Sequence, residues 1–181
     1  MQMKQYMLDT NIFNSLLDGS LPIEDLVGKA TFFATHIQAD ELSNTSDDKR
    51  RESLLQLFAD IKGTALPTES FVLDVSRLDQ ANLGGDRMIP TESARLGISK
   101  WGRAKWTAPD NLYDSIRSML NKLNRAKPNN IMDALIAETA IKNGLTLVTH
   151  DSDLFHATTH FGGACINVFE LHKELTEFPD A

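Results

Sequence analysis

Apolar and polar positions alternate along the chain in short blocks whose periods change from strand-like to helix-like. "YMLD" (6–9) predicts a buried strand, and "IFNSLLDG" (12–19) a helix closed by Gly19. "ATFFATH" (30–36), rich in Thr and Phe, predicts a second strand. "IQADELSN" (37–44) runs into "DDKRRESLLQLFADIKG" (47–63), where Leu54, Leu55, Phe58 and Ile61 recur at helical spacing. Residues 65–85 predict a short strand and a further helix ending at Gly84 and Gly85. "NNIMDALIAETAIKNG" (129–144) predicts a strong helix with Asn at its N-cap and Asn-Gly at its end. Strands follow at "LTLVTHD" (145–151) and "ACINVFE" (164–170). Strands and helices alternating at this interval imply a parallel sheet covered on both faces.

At 181 residues the chain predicts one domain, 1–181, with a less regular stretch at about 86–127 read as an insertion. Its 41% hydrophobic and 24% charged content is that of an ordinary globular protein. The net charge of −7 argues against a broad basic surface that coats nucleic acid. Clustered carboxylates around a cation would carry such negative charge themselves. Cys165 is the only cysteine, so no intrachain disulfide forms; it reads as a small buried hydrophobe. No apolar run suits a signal peptide or a membrane span, and the expected location is the cytoplasm.

Asp9 and Asp151 fall at the carboxyl ends of predicted strands, where active sites of open α/β sheets form. Either alone reads as a turn or cap residue. Asp133 is different. On its predicted helix it shares a narrow side with Ala137 and Ala140, while Glu138 and Lys142 have the i,i+4 spacing of an exposed ion pair elsewhere. A carboxylate in such a place needs a partner or a cation. After the second strand, spacing alone does not choose between Asp40 and Glu41. Acids gathered at one edge stay ionised together only around a cation, and oxygen-only ligands suit Mg²⁺ or Mn²⁺. The implied chemistry is phosphodiester hydrolysis.

In order and context, "MLDTN", "ADEL", "MDALIAETAIKNG" and "LTLVTHDSDLF" resemble the PIN-domain family of metal-dependent ribonucleases, particularly the toxin subunits of toxin–antitoxin pairs. That resemblance implies a three-layer α/β/α domain with a central, mainly parallel sheet, carrying here an inserted helical segment. It selects Glu41, which is followed by Leu42. It implies that Asp9, Glu41, Asp133 and Asp151 are catalytic, metal-holding acids. It adds Asp153 as a further ligand or supporting group, and makes Asn11 and Thr149 supporting polar positions. It also implies an RNA substrate, an antitoxin partner and a homodimer. Two rivals stand beside this reading. One is a catalytically silent PIN-fold module binding RNA or protein. The other is a phosphotransferase with Asp9 as nucleophile, which would want an aspartate where Asn11 stands.

The stretch from Arg87 to Trp106 carries five basic residues against one acid, Glu92. Lys100, Trp101, Arg103, Lys105 and Trp106 interleave cations with the only two tryptophans of the chain. Such a pattern suits RNA, with cations on phosphates and rings on bases. It equally suits tryptophans anchoring the insert on the core beneath a solvated charged face, and a patch for a protein partner remains a third reading. His156 and His160 have the i,i+4 spacing of a metal pair without the glutamate of the hydrolase motif, and read as surface histidines.

Overall fold

Tyr6, Met7 and Leu8 are completely enclosed, and their side chains alternate between two separate apolar clusters. They belong to β1 (Gln5–Leu8), the central strand of a parallel sheet. Our computed structural model describes residues 3–19, 22, 26, 28–61, 64–72, 74–82, 89–90, 105–107 and 110–177.

The elements follow in the order β1, α1 (Thr10–Leu17), β2 (Thr31–Ala34), α2 (His36–Ser43), α3 (Asp48–Ile61), β3 (Thr64–Ala65), β4 (Phe71–Val72), β5 (Ile89–Pro90) and β6 (Lys105–Thr107). Then come α4 (Leu112–Asn124), α5 (Asn130–Lys142), β7 (Thr146–Val148), α6 (Ser152–His160), β8 (Cys165–Ile166) and α7 (Val168–Glu177). Among the described residues the main sheet runs β3-β2-β1-β7-β8, with every neighbouring pair parallel. A small antiparallel sheet, β4-β6-β5, lies apart from it in the strand order.

The period-two alternation of the strands makes the fold three-layered. Tyr6, Leu8, Phe32, Ala34 and Val148 join the cluster built with α1, α3 and α7. Met7 and Leu147 join the opposite cluster, built with α4, α5 and α6. Each fully buried Leu or Ile in these layers contributes ~1.5–3 kcal/mol. Helix α4, inside the stretch 86–127, places Tyr113, Ile116 and Leu120 in the second cluster. Half-buried Cys165 packs against that cluster, and burial pushes its thiol up to about 12. No helix among the described residues is long and apolar enough to cross a membrane.

Three local expectations need correction. Residues 74–82 form turns rather than a helix. Asp74 takes a left-handed backbone (φ 67°), the amides of Val75 and Ser76 both return to the Val72 carbonyl, and the Ser76 hydroxyl accepts from the Val72 amide. Thr68 then bonds Gln80 and Asn82 through its backbone, which closes the loop. The strand expected over 164–170 ends at Ile166 and gives way to α7 at Val168, while the N-cap of α5 is Asn129 as expected, although its side chain makes no capping hydrogen bond. The neighbouring Asn130 instead exchanges 2.8 Å amide bonds with Asn124 and donates to Asn121 at 2.8 Å, tying α5 to the end of α4.

The third correction concerns Glu138 and Lys142, which are not an exposed pair. The Glu138 side chain is fully buried and that of Lys142 is 16% exposed. Ser70 covers this side of α5 and donates to Glu138 Oε1 at 3.0 Å, while Lys142 Nζ reaches the same oxygen at 2.7 Å and Asp110 at 3.2 Å. Although burial alone would lower the Lys142 pKa, Glu138 and Asp110 hold it above its ordinary value. Removing one partner of a buried pair strands the other charge. Lys142→Met should therefore cost about 3–5 kcal/mol in urea unfolding at neutral pH. A loss below about 1 kcal/mol, typical of exposed pairs, would show that water reaches Glu138.

Candidate active site

The strand order reverses between β1 and β7, because the chain builds outward from β1 to β3 and later from β7 to β8. Crevices of this kind, beyond the carboxyl ends of the strands, are where open α/β sheets bind ligands. Asp9 and Asp151 sit at this point, and the Asp9 amide bonds the Val148 carbonyl at 3.0 Å as the last rung between the two strands.

Each aspartate is also the N-cap of the helix that follows. Asp9 Oδ1 accepts from the Thr10 amide at 2.7 Å, and Asp151 Oδ1 accepts from the amides of Asp153 (2.8 Å) and Leu154 (3.0 Å). Capping thus occupies one oxygen of each carboxylate and leaves the other for further work. Asp9 Oδ2 accepts from Thr149 Oγ1 at 2.6 Å and from Asn11 Nδ2 at 2.6 Å. Thr149 Oγ1 accepts in turn from the Asp151 amide at 3.0 Å, so one hydroxyl links both strand ends. Asn11 Oδ1 accepts from the His150 amide at 3.2 Å. The two supporting positions expected from the sequence are therefore the ones that orient Asp9.

Glu41 arrives from α2, whose start is locked by a capping box. Thr35 Oγ1 accepts from the Ile37 amide, and Gln38 Oε1 accepts from the Thr35 amide at 2.9 Å. The buried Gln38 also donates to the Leu8 carbonyl at 3.1 Å, which pins α2 to the end of β1. Three residues on, Glu41 Oε2 accepts a short hydrogen bond from Thr10 Oγ1. Thr10 and Gln38 are parts of the site that sequence reading missed. Thr10 had a signal, since it stands between Asp9 and the helix start; Gln38 had none beyond the Thr-x-x-Gln spacing of a capping box.

Asp133 enters from the first turn of α5. Burial, followed by the charges of Asp9, Glu41 and Asp151, pushes its carboxyl up to about 8. Burial also raises Asp9 and Glu41, whereas hydrogen bonds from Thr149 and Thr10 pull them partly back. Asp133 thus senses the charges of the other three acids, Asp9 that of Asp151 and Glu41 that of Asp9, although they come from four separate places in the chain. Asp153 lies half-buried in the first turn of α6, with its amide committed to Asp151. Lys100, Trp101 and Arg103 lie outside the described residues, and of Lys105 and Trp106 only the backbone is described, in β6. His156 and His160 are on α6, with ring centroids 6.5 Å apart.

A family model matches part of the chain, and it is the model of the family that the sequence resembles. Residues 105–160 match the PIN domain. The matched PIN stretch holds Asp133, Thr149, Asp151 and Asp153, and leaves out Asp9 and Glu41. No curated protein matches the chain. Among solved structures, VapBC2 from Rickettsia felis bound to a DNA fragment from its promoter is 17% identical, covering 90% of this chain and 98% of that chain at a TM-score of 0.49. VapBC-1 from nontypeable Haemophilus influenzae is 18% identical, with 90% and 97% covered at 0.47. VapBC-5 from Mycobacterium tuberculosis, a member of the VapBC family of toxin–antitoxin systems, is 16% identical, with 91% and 97% covered at 0.46.

The donor set fits a hard divalent cation. The carboxylates supply only oxygens, and Asp133, raised first by burial and then by Asp9, Glu41 and Asp151, is a group that a positive charge beside it would favour in its ionised form. Among the described residues no three His, Cys, Asp or Glu side chains close on a single point. Mg²⁺ tolerates this, since it keeps several waters and needs only one or two carboxylates directly.

A pH dependence follows for the metal-free protein. Between the ordinary aspartate value of 3.8 and about 8, folded Asp133 holds a proton that the unfolded chain releases. Stability therefore falls as pH rises through that window, by on the order of several kcal/mol in total. Asp133→Asn should flatten the decline and melt higher than wild type at pH 8 in EDTA. Parallel melting curves for the two proteins from pH 4 to 9 would show instead that the acids do not interact.

Proposed function

We propose that the protein is a Mg²⁺- or Mn²⁺-dependent endoribonuclease and the toxin of a toxin–antitoxin pair. The observation that carries this reading is the meeting of Asp9 and Asp151 at the reversal point of the sheet, linked through Thr149, with Glu41 tied to the same edge through Thr10. The PIN-domain match over 105–160 supports the class of chemistry. The RNA substrate, the antitoxin and a homodimer rest on the sequence resemblance.

When bound, the cation supplies Lewis acidity for attack of water on a phosphodiester. Asp9, Glu41, Asp133 and Asp151 are the residues to hold it, with Asp153 beside them. Thr149 and Asn11 fix the orientation of Asp9 Oδ2, and Thr10 fixes Glu41 Oε2, so little rearrangement precedes reaction. Asp133, raised to about 8 by burial and then by the neighbouring acids, is the group suited to hold a proton near neutral pH until a charge beside it releases it. By resemblance to the family, the products carry a 5′-phosphate and a 3′-hydroxyl.

One observation favours the silent binding module instead: no three acids close on a point among the described residues. The two readings part on a single assay. Purified protein is incubated with a mixed RNA pool in Mn²⁺ or Mg²⁺, in EDTA, and as Asp133→Asn. The nuclease reading expects cleavage that EDTA abolishes and that Asp133→Asn reduces at least ~100-fold, the scale of losing one transition-state contact. Intact RNA with folded, metal-loaded wild type would establish the binding module.

A further inference from the structure

Beside the acids, at the carboxyl ends of β2 and β3, lies a cavity of about 450 Å³, within the size range of small-ligand sites. Its walls include His36, Ala39, Phe58, Pro67, Arg77 and Asp79. His36 is 5% exposed, and neither ring nitrogen has a hydrogen-bond partner. The backbone of Val75 and of Gln80 comes close enough to the ring to raise its pKa against burial, but outside the geometry of a full hydrogen bond. A buried imidazole with both nitrogens unpaired is costly unless something completes it.

The cavity and the acid site are two sides of one helix. Glu41 leaves α2 toward Thr10 and Asp9, whereas His36, Ala39 and Asp40 leave it on the other side, where Asp40 pairs with Arg77. The ends of β2 and β3 and the reversal point between β1 and β7 belong to the same edge of the sheet. The polar groups of the cavity have mixed character: Arg77 donates, Asp79 accepts, and neutral His36 does both. Phe58, Pro67 and Ala39 supply apolar wall. With Asp40 and Asp79 against a single Arg77, the local charge does not suit a lone phosphate. Flat apolar walls with donors and acceptors at the rim suit a heterocyclic base, which presents both along its edge.

We infer that this cavity is a nucleobase subsite, holding an unpaired base next to the phosphodiester at the acids, with His36 and Arg77 reading its edge. It rests on the nuclease reading only for the neighbouring phosphodiester; base binding itself needs no metal. The subsite would give the enzyme a preference at one fixed position beside the cut.

The test uses the full chain without metal. Adenosine, guanosine, cytidine and uridine 5′-monophosphates are titrated while the His36 ring resonances are followed by NMR, with ribose 5-phosphate as control. At least one nucleotide should shift His36 saturably, and ribose 5-phosphate should not. Ala39→Phe, which fills the cavity, and the exposed-site change Arg77→Ala should each weaken binding about tenfold, the scale of one stacked or edge-bonded base. No shift with any nucleotide, or equal shifts with ribose 5-phosphate, would overturn the subsite. In Mn²⁺, sequencing of cleaved ends should show a base bias that Arg77→Ala removes. An unchanged bias overturns the subsite but leaves the nuclease standing. Absence of cleavage by wild type overturns the nuclease, and the nucleotide titration still decides the subsite.

Discussion

Mutual repulsion among carboxylates is the constraint around which this molecule is arranged. Asp9, Glu41 and Asp133 all have raised pKa values, and each is raised first by burial and further by a neighbouring acid. Left free, such groups would turn into water or accept protons. Here they are denied the first option. Asp9 is held by Thr149, Asn11 and the Thr10 amide, Glu41 by Thr10, and Asp151 by two amides of α6. The hydrogen bonds do not remove the repulsion; they fix its geometry, so that a cation entering the edge meets oriented oxygens.

Holding acids this way demands a stiff support, and the three layers supply it. β1 is enclosed on both faces, with Tyr6 and Leu8 on one side and Met7 on the other. From Ala134 to Ala140 every residue of α5 is buried. Only the first turn of α5, which carries Asp133, and its last turn reach the surface. Polar groups inside this shell serve as fasteners. Gln38 joins α2 to the end of β1, the Asn121–Asn124–Asn130 set joins α4 to α5, and Glu138 with Lys142 and Ser70 joins α5 to the segment before β4.

The parallel sheet and three of the candidate acids, Asp9, Asp133 and Asp151, left local traces in the sequence, whereas only the family resemblance separated Glu41 from Asp40. Apolar runs of four ending in Asp mark β1 and its turn, and Asp133 stands between apolar positions on a helix otherwise read as buried. What stayed hidden depended on distant partners. Glu138 and Lys142 look like a surface pair until Ser70 and Asp110, remote in the chain, are seen to cover them. Residues 74–82 have helical composition, but a left-handed Asp74 and the Thr68 backbone pairing override it. The cavity at His36 gave no local sign at all, since its walls come from α2, α3 and two separate loops. Helix α7 was hidden in part because the strand at Cys165–Ile166 is only two residues long, and Asn167 begins a new helix by accepting from the amides of Phe169 and Glu170.

The bond between Thr149 and Asp9 spans 140 positions of sequence. Contacts of that range form late, because a long loop must close before they repay its entropy. During synthesis, Asp9 and Glu41 leave the ribosome long before β7 exists to lie beside β1. A nascent chain therefore emerges with its first acids unordered and its sheet lacking a central neighbour. The acid edge is therefore assembled only once the last strands of the sheet have been made, whatever the state of its first half.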